Sequence, residues 1–436
     1  MIGGYPMQIL RVHPNGRFLM ESDGTPFFWL GDTAWELFHR LDREEADLYL
    51  TTRADQGFTV IQAVALAEFS GLTEPNAYGR VPLKKGGSGR YDPSLPDTDG
   101  DYSYWDHVDY IIDKAAELGL YIALLPTWGD KFNLLWGKGP EIFDRSNAYV
   151  YGEWLGRRYR DRDNIVWVLG GDRPLTTRRH FDVIEAMAVG LSSGDGGRHL
   201  VTFHPSGGTS SSLYLHDEKW LDFNMLQSGH GKRSNPNYAF IQKDHERQPV
   251  KPVLDGEPCY EDHPIAFKED NEFFDQVDVR KALYWSVFAG GFGVTYGHHC
   301  VWSFNTEPGC YFPMHWKDAL RRPAAEQVKY LRKLMESRPF FERIPDQSLL
   351  VVNYDGANHQ QATRGEKYAF IYAPHGIAVH IKLGVLKGRS VRLEWFDPRT
   401  GESTPIGMAE NKGDMRLVPP GHGREQDFVL VMDSED

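Results

Sequence analysis

Short apolar runs punctuate the first 340 residues at fairly even intervals, and amphipathic stretches lie between them. The runs are 27–31, 58–64, 121–126, 165–169, 200–203, 223–226, 253–254 and 293–296. They are apolar without alternation, the pattern of strands buried on both faces of a parallel sheet. Between them, 43–56, 102–118, 147–159, 179–191, 275–288 and 324–335 read as helices. The second has an apolar face at Val108, Ile111, Ile112 and Ala115 and stops at Gly119, and the last has one at Val328, Leu331 and Leu334. Eight strands, each followed by a helix or long loop, predict a (β/α)8 barrel, an α/β fold. Residues 9–20 predict a hairpin before the barrel. Residues 65–100, rich in Gly, Pro and Asp, predict a long insertion over the barrel mouth.

Beyond Pro339 the helical period disappears. Runs at 349–352, 368–372, 379–383, 391–396 and 428–432 are separated only by turns. This predicts an antiparallel β-sandwich over 346–436, joined to a barrel domain over 1–345. It carries no cluster of acids, bases or metal ligands, so it reads as a structural partner of the barrel, with carbohydrate binding as its other option.

Barrels keep their chemistry at the C-terminal ends of the strands. Run four leads into Gly170-Gly171-Asp172-Arg173-Pro174, and run seven into Gly256-Glu257-Pro258. Asp172 and Glu257 are 85 positions apart, close to three βα units of about 31 residues each, so both carboxylates fall on one rim. Two carboxylates across a barrel mouth suit glycosidic bond cleavage: one protonates the leaving oxygen, the other attacks carbon or activates water. Separations of about 5–5.5 Å give retention, and roughly 6.5–9.5 Å inversion. The other strand ends collect Asp32, Trp35, Gln62, Trp128, Asp130, His204, Gln227, Tyr296, His298 and Trp302, read as groups that hold sugar hydroxyls and ring faces. Asp32 could equally cap the segment that follows it.

Composition sharpens this picture at a few points. Aromatic residues make up 13% of the 436 residues, and Trp35, Trp105, Trp128, Trp136 and Trp302 sit beside loops, where aromatic faces commonly hold sugars. The net charge of −13 argues against nucleic acid and anionic membrane as partners. There is no apolar run of about 18 residues to cross a membrane. Residues 1–7 lack a basic segment followed by an apolar core, so the chain as given reads as cytoplasmic, or as secreted where a leader has been removed. Three cysteines are too few for a disulfide framework, which points to a reducing compartment. Zinc held by His204, His230, His298, His299 and Asp130 is the chemical rival, but the spacing fits no metalloprotease helix. No Gly-x-Ser-x-Gly elbow and no phosphate-binding Gly-x-x-x-x-Gly-Lys motif is present. No metal or cofactor is expected.

The run Phe28-Trp29-Leu30-Gly31-Asp32-Thr33-Ala34-Trp35, with Gly57-Phe58, Leu169-Gly170-Gly171-Asp172 and Gly256-Glu257-Pro258-Cys259-Tyr260-Glu261, resembles the apiosidase-like glycoside hydrolases, glycoside hydrolase family 140. The resemblance covers essentially the whole chain, since that family pairs a barrel with a collagen-binding-like β-sandwich. It implies Asp172 as general acid/base, Glu257 as nucleophile, and release of the branched pentose apiose from plant glycosides or pectic side chains. Broader barrel glycosidases carry Asn-Glu where this chain has Gly171-Asp172, a shorter acid. Two alternatives stay open: a glycosidase acting on another pentose or hexose, and a catalytically silent carbohydrate-binding barrel or scaffold.

Overall fold

The computed structural model describes residues 7–436. The stretch 1–7, read above for a leader, therefore lies, Met7 apart, outside the described residues. Eight parallel strands form the barrel: β1 (Trp29–Thr33), β2 (Val60–Val64), β3 (Tyr121–Leu125), β4 (Ile165–Gly170), β5 (Val201–His204), β6 (Asn224–Gln227), β7 (Val253–Asp255) and β8 (Gly293–Tyr296). All eight are buried along their whole length, which is why their sequences run apolar without alternation. Hydrogen-bonded pairing runs β5-β4-β3-β2-β1-β8-β7-β6. The remaining seam, between β5 and β6, is joined largely through side chains. Val201 N–H donates to Asp222 Oδ2 (2.7 Å) and Thr202 Oγ1 to the Phe223 carbonyl (2.7 Å), while Asp222 N–H donates to the Val201 carbonyl (2.9 Å).

Among the described residues, seven helices of nine or more residues surround the ring: α1 (Arg43–Asp55), α2 (Tyr104–Glu117), α3 (Arg145–Tyr159), α4 (Arg178–Asp195), α5 (Asn237–His245), α6 (Gln276–Phe288) and α7 (Pro323–Glu336). Side-chain caps fix several starts. Asp42 accepts from Glu45 N–H ahead of α1, and Ser103 and Asp106 form a capping box on α2. Only α5 has no counterpart among the sequence expectations, because its nine residues carry a weak apolar face. Among the described residues no helix is long and apolar enough to cross a membrane.

Three expectations need correction. Strand one begins at Trp29, because Pro26–Phe27 pairs instead with Leu19–Glu21 in a small three-stranded sheet with Leu10–Val12. This shift places Asp32 inside β1. The 65–100 segment lies at the mouth only through its start, where Glu68 and Phe69 reach the strand ends. It folds a hairpin, Leu83–Lys85 against Tyr91–Pro96, that packs against α3. Trp105 anchors it by donating to the Pro82 carbonyl (2.9 Å) and is itself fully buried, so it offers no face to a sugar.

The tail is a sandwich of a six-stranded and a three-stranded antiparallel sheet. Its own core includes Ile371, Val379, Ile381, Leu393, Trp395 and Leu430. Ser403–Glu410, an exposed edge strand containing Pro405 and Gly407, escaped the sequence pattern because neither face alternates. The outer face of the larger sheet lies on α6. Tyr284 stacks on Tyr372 (4.9 Å), and Arg280 forms a fork to Asp427 (2.7 and 3.0 Å). Trp285 N–H reaches the His359 carbonyl (2.9 Å). Every residue of α6 from Val277 to Phe288 is consequently buried. Arg343, also buried, donates to the carbonyls of Val287 (2.6 Å) and Gly291 (2.8 Å).

Candidate active site

At the end of β4 the backbone enters the left-handed region three times in succession: Gly170 (φ +92°), Gly171 (φ +105°) and Asp172 (φ +56°). Glycine is needed at 171, where a Cβ would stand 2.8 Å from Gly129 N. The turn is tied to both neighbouring strand ends: Gly129 N–H donates to the Gly171 carbonyl (3.0 Å), and Gly171 N–H to the His204 carbonyl (3.1 Å). A left-handed aspartate costs on the order of 1–3 kcal/mol, and such strain concentrates at functional sites. Here it aims the carboxylate into a pocket of about 830 Å³ at the barrel mouth, a volume typical of small-molecule sites.

Asp172 is 24% exposed. Its Oδ2 accepts from the indole N–H of Trp136 (3.3 Å) and from Nη1 of Arg173 (3.4 Å). Burial first, and then the charge of Glu257, push its pKa up to about 6; His204, Arg173 and Trp136 act against them. Asp172 is thus a carboxyl held ready to carry a proton.

Glu257 follows β7 on the same pocket. Its Oε1 lies 2.9 Å from Nε2 of His230, and its Oε2 lies 3.0 Å from Nε2 of His204. Burial alone would raise its pKa. Hydrogen bonding and charge from His204 and His230 outweigh that and bring it down to about 2. Two carboxyls in one pocket are therefore driven apart in ionisation by their surroundings, Asp172 toward its protonated form and Glu257 toward its ionised form. Gln62 supports the second one from below, donating Nε2 to the carbonyl of Gly256 (3.0 Å).

The remaining sequence candidates divide by position. Trp35, Trp128, Gln227 and Trp302 line the pocket. Trp35 packs 5.1 Å from Trp128 and edge-on to His204 at 5.3 Å, so the two indoles also wedge the histidine against Glu257. Gln62 and His204 stand behind the pocket wall and reach it through Glu257 and its neighbour.

Four others are corrected. Asp32 points outward from β1, where it takes Nε of Arg53 (2.6 Å) and the hydroxyl of Tyr49 (2.6 Å), both on α1. Asp130 is buried against Lys131 (2.7 Å) and accepts the N–H groups of Lys138 and Gly139. Tyr296 is fully buried and donates to Glu261 (2.9 Å). His298 is buried and contacts Asp262 (3.0 Å). In each case a strand-end polar residue has found a protein partner instead of facing the pocket. Of the histidines weighed as zinc ligands, His204 and His230 converge on Glu257 and His298 contacts Asp262; among the described residues no group of three or more His, Cys, Asp or Glu is arranged to hold a metal ion.

Beyond the strand-end candidates the pocket holds Trp136, already noted among the loop aromatics, His230, already weighed as a zinc ligand and here the second partner of Glu257, and Glu68 and Tyr260. Glu68 is pushed up to about 7, chiefly by burial, with Arg173 opposing and Asp130 and Asp172 adding to the rise. All four sit several residues beyond a strand end. Extending the search from the strand tips into the following loops would have reached them.

Comparison with known proteins agrees with this geometry. The family model for the apiosidase-like catalytic domain matches residues 13–342. A second model, named for the collagen-binding domain of a collagenase, matches residues 344–433. A solved structure described as a glycoside hydrolase is 35% identical, covering 98% of each chain with a TM-score of 0.89. Another, described as a glycoside hydrolase family 5 from Bacteroides vulgatus, is also 35% identical with a TM-score of 0.89. It covers 98% of this chain and 93% of its own. No curated protein matches the sequence. The chain belongs to the apiosidase-like family and is a glycoside hydrolase.

Proposed function

We propose that the protein is a retaining β-apiosidase that releases apiose from plant glycosides or pectic side chains. The observation that carries the mechanism is the placement of Asp172 and Glu257 on one pocket, Glu257 between two histidines and Asp172 beside the indole N–H of Trp136; the direction of their pKa shifts agrees with it, and the family match supports the sugar. Asp172 donates its proton to the glycosidic oxygen as the bond to the anomeric carbon breaks. Glu257 attacks that carbon and forms a glycosyl ester. Asp172, now a carboxylate, takes a proton from water, whose oxygen attacks the same carbon and frees Glu257. His204 and His230 keep Glu257 ionised and oriented, and Trp35, Trp128, Gln227 and Trp302 contact the sugar.

The test is hydrolysis of an apiose-bearing flavone glycoside beside a panel of aryl pentosides and hexosides, by wild type and by Glu257→Ala. Loss of apiose release in the variant, with the wild-type product first appearing in the substrate's anomeric configuration by NMR, supports the proposal. Inverted product removes the ester step. Cleavage of a different glycoside moves the glycone and leaves the residue roles standing. A variant as active as wild type makes Glu257 structural.

A further inference from the structure

A general acid must face the oxygen of the leaving group, so the residues around the proton-bearing side of Asp172 meet that group first. The loop that reaches there is 131–139, between β3 and α3. It carries three consecutive exposed apolar residues: Leu134, Leu135 and Trp136, at 46%, 61% and 43% exposure. Scattered exposed apolar residues need no explanation, but a run of three beside a catalytic pocket is unusual for a surface loop.

The loop is also held in one shape. Arg173, whose side chain is fully buried, donates Nη2 to the Trp136 carbonyl (2.6 Å) and Nε to the Asn133 carbonyl (3.2 Å). Leu134 N–H donates to Glu141 (2.8 Å). Asp130 accepts the N–H groups of Lys138 (3.1 Å) and Gly139 (2.7 Å). Asn133 Nδ2 donates to the Pro174 carbonyl (2.9 Å).

Within this frame the indole of Trp136 has one face against the Arg173 guanidinium, whose central carbon lies 4.1 Å from a ring centroid, and its N–H edge on Asp172. Trp136 lines the pocket, and its 43% exposure leaves the opposite face free. Most of the ordering cost of a stacking surface has already been met by the fold.

We propose that the free face of Trp136 is the platform on which the leaving group stacks, and that it selects leaving groups presenting a flat apolar face, whether an aromatic ring or the C–H face of a second sugar. This rests on the assignment of Asp172 as the acid. Trp136 is here a specificity-determining residue: its ring binds the leaving group while its N–H holds the Asp172 oxygen.

The experiment compares the methyl, phenyl and glucosyl derivatives of each glycone in the panel, with wild type, Trp136→Ala and Trp136→Phe. KM and kcat are measured for substrates that turn over, and calorimetric affinity for all of them. Wild type is expected to favour the phenyl or glucosyl derivative over the methyl one by about tenfold in KM or affinity, the size of one aromatic stacking contact. Trp136→Ala is expected to erase that preference. Trp136→Phe, which keeps a ring and lacks the N–H, is expected to retain most of it while altering the pH profile of kcat. The phenyl and glucosyl arms separate an aromatic leaving group from a sugar. A preference that survives in Trp136→Ala, or is missing from wild type, overturns the proposal. Because the preference is read within each glycone, rejection of apiose would move the glycone assignment and leave this result intact.

Discussion

His230 Nε2 stands 2.9 Å from Glu257 Oε1, and with His204 on the other oxygen it holds this buried carboxylate charged. A depressed carboxylate pKa stabilises the ionised form above that value and is lost as pH falls through it. Removing one donor raises the value. For His230→Ala we expect the acidic limb of kcat/KM to move up by about one pH unit or more, with a loss of roughly 10–100-fold at the optimum. A pH–rate profile checks this, and an unmoved acidic limb would mean that His230 does not act through Glu257.

Asp172 gives the opposite limb. As an acid it must be protonated, so activity should fall as pH rises through about 6. Asp172→Asn should lose roughly 10²–10⁴-fold on alkyl glycosides and less on glycosides with strongly activated leaving groups, which depart without a proton. Comparing the two substrate types isolates the proton.

The same substitution should stabilise the fold. The folded value of Asp172 is raised above the ordinary 3.8, so ionising it costs the folded state free energy. That cost is absent well below pH 3.8, grows between 3.8 and about 6, and is complete above that. Asp172→Asn removes it, a gain of up to ~3 kcal/mol at neutral pH. Denaturant titrations at pH 4 and pH 7.5 should differ in the sign or size of the effect. Equal effects at both would assign the gain to something other than charge.

Gly171→Ala tests the turn. The added methyl meets Gly129 N at 2.8 Å in a left-handed conformation. Since the contact is backbone, relief requires moving the lip that carries Asp172. We expect a folded protein with kcat reduced by about 10²-fold or more, since misplacement by an ångström has that effect. Circular dichroism alongside kinetics separates this from unfolding.

Asp130 was read from the sequence as a sugar ligand and stands instead against buried Lys131. Asp130→Ala leaves a buried cation unpaired and two loop N–H groups without their acceptor, which should cost about 3–5 kcal/mol. A destabilisation under about 1 kcal/mol would be too small for a buried, unpaired charge. Urea unfolding provides the measurement.

The barrel was legible because strands buried on both faces have nowhere to put polar residues, so each stood out as a run. Asp172 and Glu257 were legible because each follows such a run after glycine. Strand-end position alone said too little about direction. Asp32, one residue inside the end of β1, and Tyr296, the last residue of β8, point between the barrel and its helices, because a one-residue shift in a strand turns a side chain to the other face. Trp136 stood out as a loop aromatic and His230 as a possible metal ligand, but their places beside Asp172 and Glu257 depend on loop conformation fixed by distant partners, Arg173 and Glu257, which no local pattern encodes. The exposed strand Ser403–Glu410 was hidden for the converse reason: with both faces in water, nothing forces an alternation.

The two family matches meet at residues 342 and 344, a border in ancestry that is not a border in physics. Arg343, the one residue between them, is sunk into the end of α6, and α6 is covered on one side by the barrel and on the other by the tail. A protein cut at this point would bare Tyr284, Phe288 and the cation of Arg280 to water, and would do so on the helix that follows the strand bearing Glu257. The tail thus keeps water from the back of the catalytic half, and its sheet serves as outer wall to the helix behind Glu257.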